Sequence, residues 1–393
     1  MQYRINPKNG DSLSALGYGC MRFTKRGGVI DQEKANREMA AALEAGVNYF
    51  DTAYIYPGSE VCLGRFIQAY GCRDKLRIAT KLPQYRVNKI EDAERCFQEE
   101  LQRLQTDHVD YYLMHMLNDV NSWRRLCGLG MREWIADKKK SGAIRNIGFS
   151  FHGGTLQFKE LVDAYDWEFC QIQFNYMDEH SQAGIEGLRY AHQKGLPVII
   201  MEPLRGGKLA GGFSQETQRI FDTAEPRRTP VDWALRWIWN HPEVTVVLSG
   251  MNDMRQVEEN CRIASDSLPD ALSANELAVY DRLLTAMRAA IRVGCTGCGY
   301  CQPCPRGVDI PTCFSIYNSS YVDGYINGLR EYFMCTTLRK VRSNAGLCVR
   351  CGKCEQHCPQ HIAIRDELAQ VKKRFEHPLY QLGAKAAPLI MKY

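Results

Sequence analysis

Between residues 13 and 260 short apolar runs alternate with longer stretches in which apolar residues recur every three or four positions. The runs cover 13–20, 47–52, 76–81, 109–115, 144–150, 169–175, 197–203 and 244–250. Tyr111-Tyr112-Leu113-Met114 and Val198-Ile199-Ile200-Met201 are apolar without a break. A strand exposed on one face would alternate, so unbroken runs predict parallel strands buried on both faces. The stretches between them predict helices. Ile90, Ala93, Phe97, Leu101 and Leu104 fall at spacings of 3, 4, 4 and 3, which places them on one helical face. Asp31 is positioned to cap a helix that ends at Gly46. Eight such strand–helix units in about 250 residues predict an α/β fold, a (β/α)8 TIM barrel, with residues 3–12 as a hairpin across its bottom.

After the last strand the pattern changes. Ser273-Ala-Asn-Glu276 is a capping box, predicting a helix with Leu277, Tyr280, Leu284, Met287 and Ile291 on one stripe. Beyond it, eight of the 17 cysteines fall in two runs, Cys295, Cys298, Cys301, Cys304 and Cys348, Cys351, Cys354, Cys358, followed by Pro305 and Pro359. The second run is C-x2-C-x2-C-x3-C-P, the spacing of a bacterial ferredoxin. Three thiolates two residues apart can wrap one face of a cubane cluster, and the fourth reaches the other cluster. A zinc ribbon would use four ligands and leave four thiols idle. Thiols this dense cannot all pair as disulfides with good geometry. The first run is one residue short of the rule, so its cluster rests on less. The crossing rule predicts two [4Fe–4S] clusters, one on Cys295, Cys298, Cys301 and Cys358, the other on Cys348, Cys351, Cys354 and Cys304. The chain then divides into a barrel (1–272), a connecting helix (273–294), a small ferredoxin-like iron–sulfur domain (295–366) and a mixed, basic tail (367–393). Residues 295–366 carry few long apolar stretches, so that domain is expected to need its metal to fold.

Composition narrows the class. The 393 residues are 45% hydrophobic and 24% charged, as in a globular protein. A net charge of +5 from 50 basic and 45 acidic residues is too mild to imply a nucleic acid partner, and Lys138-Lys139-Lys140 reads as a solvated helix end. The N-terminus lacks a signal-type apolar region and no run of 18 apolar residues occurs. A cytoplasmic protein with no membrane partner is therefore expected. Its cysteines would stay reduced, which suits metal ligation. The nine cysteines outside the runs read as small buried hydrophobes.

Catalytic groups of such barrels sit at the C-terminal ends of strands. The second, third and fourth runs end at Asp51, Lys81 and His115, with Tyr54 and Tyr56 just after the second. The set suits carbonyl reduction. A tyrosine hydroxyl with a pKa of about 10 is a poor proton donor at neutral pH. A nearby ammonium stabilises the phenolate, and a carboxylate holds the ammonium. A neutral histidine can orient the substrate oxygen. Spacing alone does not choose between Tyr54 and Tyr56.

Residues 1–272 resemble the aldo/keto reductase family, and the whole chain resembles its branch with a C-terminal ferredoxin-like extension. The matching segments are Leu16-Gly-Tyr-Gly-Cys-Met-Arg22, Phe50-Asp-Thr-Ala-Tyr-Ile-Tyr56 with Ser59-Glu60, Ala79-Thr-Lys81, Asp110-Tyr-Tyr-Leu-Met-His115 and Gly148-Phe-Ser150. The resemblance implies a catalytic Asp51, Tyr56, Lys81 and His115, with Tyr54 as a pocket wall. It also implies a nicotinamide dinucleotide, NADPH or NADH, held at Gly19, Cys20, Met21, Ser150, Gln171, Met201, Leu204, Gly250, Gln256 and Asn260. The Gly206-Gly207-Lys208 turn would offer backbone N–H groups to the pyrophosphate. Met201 stands where many members stack an aromatic ring. The Lys-Ser pair and Arg that often grip a 2′-phosphate are missing around Gly250-Met251 and Gln256, and Pro57 replaces a usual glycine.

Three readings follow. The chain is a carbonyl reductase with a small-molecule substrate and clusters that stabilise or sense; or the clusters wire the barrel to a ferredoxin-like or flavoprotein partner; or it is a redox-sensing scaffold without catalysis. The quartet argues against the last. A nicotinamide passes two electrons together and a cluster takes one, and no flavin motif is present to split the pair, which favours the first.

Overall fold

The computed structural model describes residues 1–289, 292–295, 297, 299, 301–322, 324–337, 342–358 and 361–390. It divides into two compact units, Met1–Leu209 with Arg228–Ser273, and Ala210–Arg227 with Ala274–Tyr393.

In the first unit eight parallel strands close a barrel in sequence order: β1 (Leu16–Gly19), β2 (Tyr49–Asp51), β3 (Arg77–Leu82), β4 (Val109–Met114), β5 (Ile144–Phe151), β6 (Phe169–Gln173), β7 (Val198–Met201) and β8 (Val244–Ser249). β8 pairs with β1 through Val247 opposite Leu16 and Ser249 opposite Tyr18, which closes the ring. The barrel interior is filled by Leu13, Tyr49, Ala79, Tyr111, Leu113, Phe169, Ile199, Val246 and Leu248, so it is a packed core and not a pore.

The run at 13–20 is not one strand. Ser12–Ser14 pairs antiparallel with Tyr3–Ile5, and only Leu16–Gly19 enters the barrel. Ser14 Oγ accepts the Asn48 N–H at 3.0 Å and donates to the Leu16 carbonyl at 2.7 Å, which separates the two. The loop of this hairpin reaches the barrel bottom, where Asn6 Nδ2 donates to the Tyr111 hydroxyl and that hydroxyl donates to Asp11. The helix Gln32–Glu44 is capped by Asp31, which accepts the Lys34 N–H at 3.1 Å. Among the described residues no helix is long and apolar enough to cross a membrane.

The second unit has its own core. Val308, Cys313, Phe314, Tyr332, Ile364, Leu368, Val371 and Phe375 are fully buried, drawn largely from the helices Ile310–Val322, Tyr325–Tyr332 and Ile364–Phe375. The last of these runs across residue 366 and brings Leu368, Val371 and Phe375 inward, so the apolar burial is larger than 295–366 alone implied. The helix Ala274–Ala289 begins directly after Ser273 but buries Val279, Tyr280, Leu283 and Met287. Leu277 is exposed, Leu284 is half-buried, and Ile291 lies outside the described residues. This helix contacts Gln215–Thr223 within the same unit, a grouping the sequence pattern gave no sign of.

Candidate active site and cluster-ligand residues

The strand ends bring the predicted ionisable groups to one mouth of the barrel. Lys81, at the end of β3 and almost fully buried, donates from Nζ to Asp51 Oδ2 and to the Thr52 carbonyl, each at 2.6 Å. Gln171 of β6 donates to the other carboxylate oxygen at 2.9 Å. Burial pulls the Lys81 ammonium down, but Asp51 and Tyr56 more than offset it, so its pKa ends above the ordinary lysine value. The Tyr56 ring lies 5.3 Å from Lys81 Nζ and meets the His115 ring edge-on at 6.1 Å.

The electrostatics of Tyr56 differ from the simple expectation. Burial raises its hydroxyl pKa, Lys81 lowers it, and Asp51 and Glu202 raise it again, leaving it above its ordinary value. Desolvation outweighs the ammonium here. His115 is pushed down to about 3 by burial, helped by Lys81 and His152. It is therefore neutral, and its buried Nδ1 has no hydrogen-bond partner among the described residues. Pro57 stands in a tight turn between Tyr56 and the helix Ser59–Tyr70, with the Ser59 N–H donating to the Tyr56 carbonyl at 3.1 Å. Tyr54 is engaged elsewhere. Its hydroxyl donates to Glu99 at 2.7 Å and its ring lies under Arg103.

The positions implied for the cofactor surround this mouth. Ser150 Oγ accepts the Met116 N–H at 2.8 Å, and Asn260 Nδ2 donates to Ser249 Oγ at 3.0 Å. Gln256 folds back to accept the Asn252 N–H at 3.0 Å. Cys20 is buried and Met21 is exposed; Gly19, Met201, Leu204 and Gly250 are half-buried. The Gly206–Gly207 turn has φ of +70° and +100°, values glycine adopts without strain. Its N–H groups are partly used within the turn, since Gly207 N–H donates to the Leu204 carbonyl at 2.8 Å and Lys208 N–H to the Arg205 carbonyl at 3.4 Å. Arg22 lies over this turn. Its guanidinium lies against Gly206 and its methylene stem against Gly250, where an added Cβ would meet Arg22 at 3.3 Å in both cases.

In the second unit Cys295, Cys301, Cys304, Cys348, Cys354 and Cys358 are partly buried against the core, Cys351 is exposed, and Cys298 lies outside the described residues. Cys354 is within electrostatic reach of Cys348 and of Cys304 from the other run. The two runs share a local form. Gly297 N–H points at Cys295 Sγ at 3.5 Å and Arg350 N–H at Cys348 Sγ at 3.4 Å, both two residues on. Among the described residues no three Cys, His, Asp or Glu side chains already enclose one point. Seven of the nine remaining cysteines are buried, as expected; Cys127 and Cys335 are half-buried.

Residues 15–272 match the model of the aldo/keto reductase family. The chain belongs to this family. Residues 294–363 match a 4Fe–4S dicluster domain, so the oxidoreductase barrel is joined to an iron–sulfur domain. Similar proteins include the uncharacterized oxidoreductase YrpG of Bacillus subtilis, 26% identical over 68% of this chain and 92% of that one. An aldo-keto reductase of a Mycobacterium species is 28% identical over 72% and 86%. A crystal structure of an aldo/keto reductase from Klebsiella pneumoniae, in complex with NADP and acetate, superposes with a TM-score of 0.60 at 25% identity, over 72% of this chain and 96% of that one.

Within this family barrel three residues at the mouth escaped the sequence reading. Arg22 was part of a matched segment but had no assigned role. His152 and Glu202 follow β5 and β7 directly, so the strand-end rule that found the quartet would have found them too. His152 is pushed down by burial, with Glu202 opposing. Glu202 holds the left-handed conformation at φ +55°, an unusual state for a residue with a side chain.

Proposed function

We propose that the barrel reduces the carbonyl of an aldehyde or ketone with NADPH or NADH. The observation that carries this reading is the buried Lys81–Asp51 pair set beside Tyr56, with neutral His115 across the same mouth. When bound, the nicotinamide supplies the hydride that the carbonyl carbon takes up. Tyr56 donates its hydroxyl proton to the oxygen as that oxygen gains charge, so C=O becomes CH–OH. Lys81, held by Asp51 and the Thr52 carbonyl, stabilises the phenolate left behind. His115 is uncharged and keeps hydrogen-bonding capacity for orienting the substrate oxygen. The cofactor would lie along Gly19, Cys20, Met21, Ser150, Gln171, Met201, Leu204, Gly250, Gln256 and Asn260, with Arg22 against its phosphates. The NADP held by the Klebsiella protein supports a cofactor of this class.

Two [4Fe–4S] clusters would be held by the second unit, one by Cys295, Cys298, Cys301 and Cys358 and one by Cys348, Cys351, Cys354 and Cys304. The reach of Cys304 to Cys354 supports this crossing, and the matching N–H···S contacts show the two runs to be alike locally. A second reading, in which a cluster exchanges single electrons with another protein, is favoured by the exposure of Cys351. The test is anaerobic purification, metal analysis and assay with NADPH and NADH over a series of aldehydes and ketones. About eight irons per chain are expected for two such clusters; about four would mean one, and zinc would remove both. No alcohol from any carbonyl, despite tight nicotinamide binding, would overturn the reductase reading.

A further inference from the structure

We infer that the second cysteine run is the docking face for a small acidic protein that carries one electron at a time. This rests on the iron–sulfur reading above and assigns a surface to it. The run is turned outward. Val349 is 57% exposed, and Arg350, Cys351 and Lys353 are exposed with it. The shell around a cluster controls solvent access to it, and here that shell is open at Cys351 beside an apolar side chain a partner could cover. Backbone geometry holds the loop open. Arg350 and Gly352 have φ of +58° and +79°, which turns the chain on either side of Cys351.

The charge around this point is positive. Arg306 is exposed two residues after Cys304, which lies within electrostatic reach of Cys354. Asp366 pairs with Arg350 at 2.6 Å and Glu355 with Arg365 at 2.7 Å, so those four charges offset one another and the local excess rests on Lys353 and Arg306. From residue 274 to the end there are 16 Lys and Arg against 9 Asp and Glu, while the whole chain is nearly balanced. A cluster with four thiolates carries negative charge of its own, so part of this positive field serves the cluster. The exposed apolar centre with a basic surround still matches the small, charge-steered interfaces of electron-transfer pairs. In the step itself one electron passes from the reduced carrier to the cluster on Cys348, Cys351, Cys354 and Cys304. The carrier is oxidised by one electron and no bond is made or broken.

The test uses the anaerobically purified full chain. Cluster absorbance is followed in stopped flow after mixing with a reduced acidic [2Fe–2S] ferredoxin, with a flavodoxin hydroquinone, and with methyl viologen radical as a small cationic donor. Binding of the oxidised carriers is measured separately by calorimetry. With at least one protein carrier, reduction should slow with added salt. Lys353→Glu with Arg306→Glu should slow it and weaken binding by about tenfold or more, and Val349→Asp should do the same. Viologen reduction should be unchanged in both variants. The faster carrier identifies the class. Carrier reduction insensitive to salt and to both variants would overturn the docking face. So would an equal loss with viologen, which would assign these residues to the cluster itself, or self-association of the chain through this surface. Failure of viologen to reduce any cluster would instead remove the redox-active cluster on which the inference rests.

Discussion

Lys81 sits at the centre of the candidate site, between the carboxylate of Asp51 and the ring of Tyr56. Its ammonium opposes the rise in the Tyr56 pKa caused by burial. Replacing Lys81 with Met removes that charge and leaves Asp51 buried without its cation. Carbonyl reduction should fall at least as far as in Tyr56→Phe, which lacks the proton donor and should lose about 10²–10⁴-fold in kcat. Nicotinamide binding by Tyr56→Phe, read by fluorescence titration, should be nearly unchanged. Wild-type turnover in Tyr56→Phe would show the quartet to be misassigned. The pH profile is a second check. His115 is held at about 3 and Tyr56 stays protonated above its ordinary value. The rate of reduction should therefore be flat across about pH 5–8, where an ordinary histidine titrates. A step near pH 6.5 that persists in His152→Gln and is lost in His115→Gln would show that His115 titrates in the working range.

Among the elements, the helix Ile364–Phe375 does the most that the pattern did not foretell. Just past its end, Glu376 Oε1 accepts from the Tyr332 hydroxyl at 2.7 Å and from the Gly346 N–H at 2.8 Å. Tyr332 in turn accepts the Ala345 N–H at 2.8 Å. Gly346 has no room for a side chain, because a Cβ there would run into Glu376. The loop that presents Cys348 is thus held from beneath by two residues remote in sequence. Tyr332→Phe leaves the Ala345 N–H and one acceptor site of Glu376 unpaired, a loss of about 1–3 kcal/mol. Denaturant unfolding of the second unit should show it, with a shifted signal from the cluster nearest Cys348. An unchanged midpoint and an unchanged EPR spectrum would deny this loop its support.

For the whole molecule, the two units differ in what they require. The quartet lies between residues 51 and 115, inside the first unit. The second unit buries its own apolar core. Cys351→Ala should therefore alter cluster content while the far-UV circular dichroism and the NAD(P)H-dependent reduction of a simple aldehyde largely survive. Collapse of helical signal in the variant would show that the second unit needs its metal to fold, as the few long apolar stretches of 295–366 suggest. Truncation after residue 366 should be far more damaging to the second unit, since it removes Leu368, Val371 and Phe375 from the core.

The sequence alone determined the architecture and which strand ends carry ionisable groups. Eight short apolar runs separated by helical stretches suit a parallel sheet buried on both faces, and strand ends in a closed barrel must converge, so Asp51, Lys81 and His115 were legible about 30 residues apart. The cysteine spacing was local for three of the four thiols in each predicted set, while the fourth comes from the other run. Tertiary structure decided what depends on distant partners. Tyr54 and Tyr56 are chemically alike in the sequence; only folding gives Glu99 and Arg103 to one and Lys81 to the other. Arg22 has no neighbours to mark it until β1, β7 and β8 bring Gly206 and Gly250 against it. The C-terminal stretch reads as a basic tail because Lys372, Lys373 and Arg374 interrupt its apolar positions, although Leu368, Val371 and Phe375 fall at helical spacing. Their burial emerges only when they meet Phe314 and Tyr332, residues that no local periodicity connects to them.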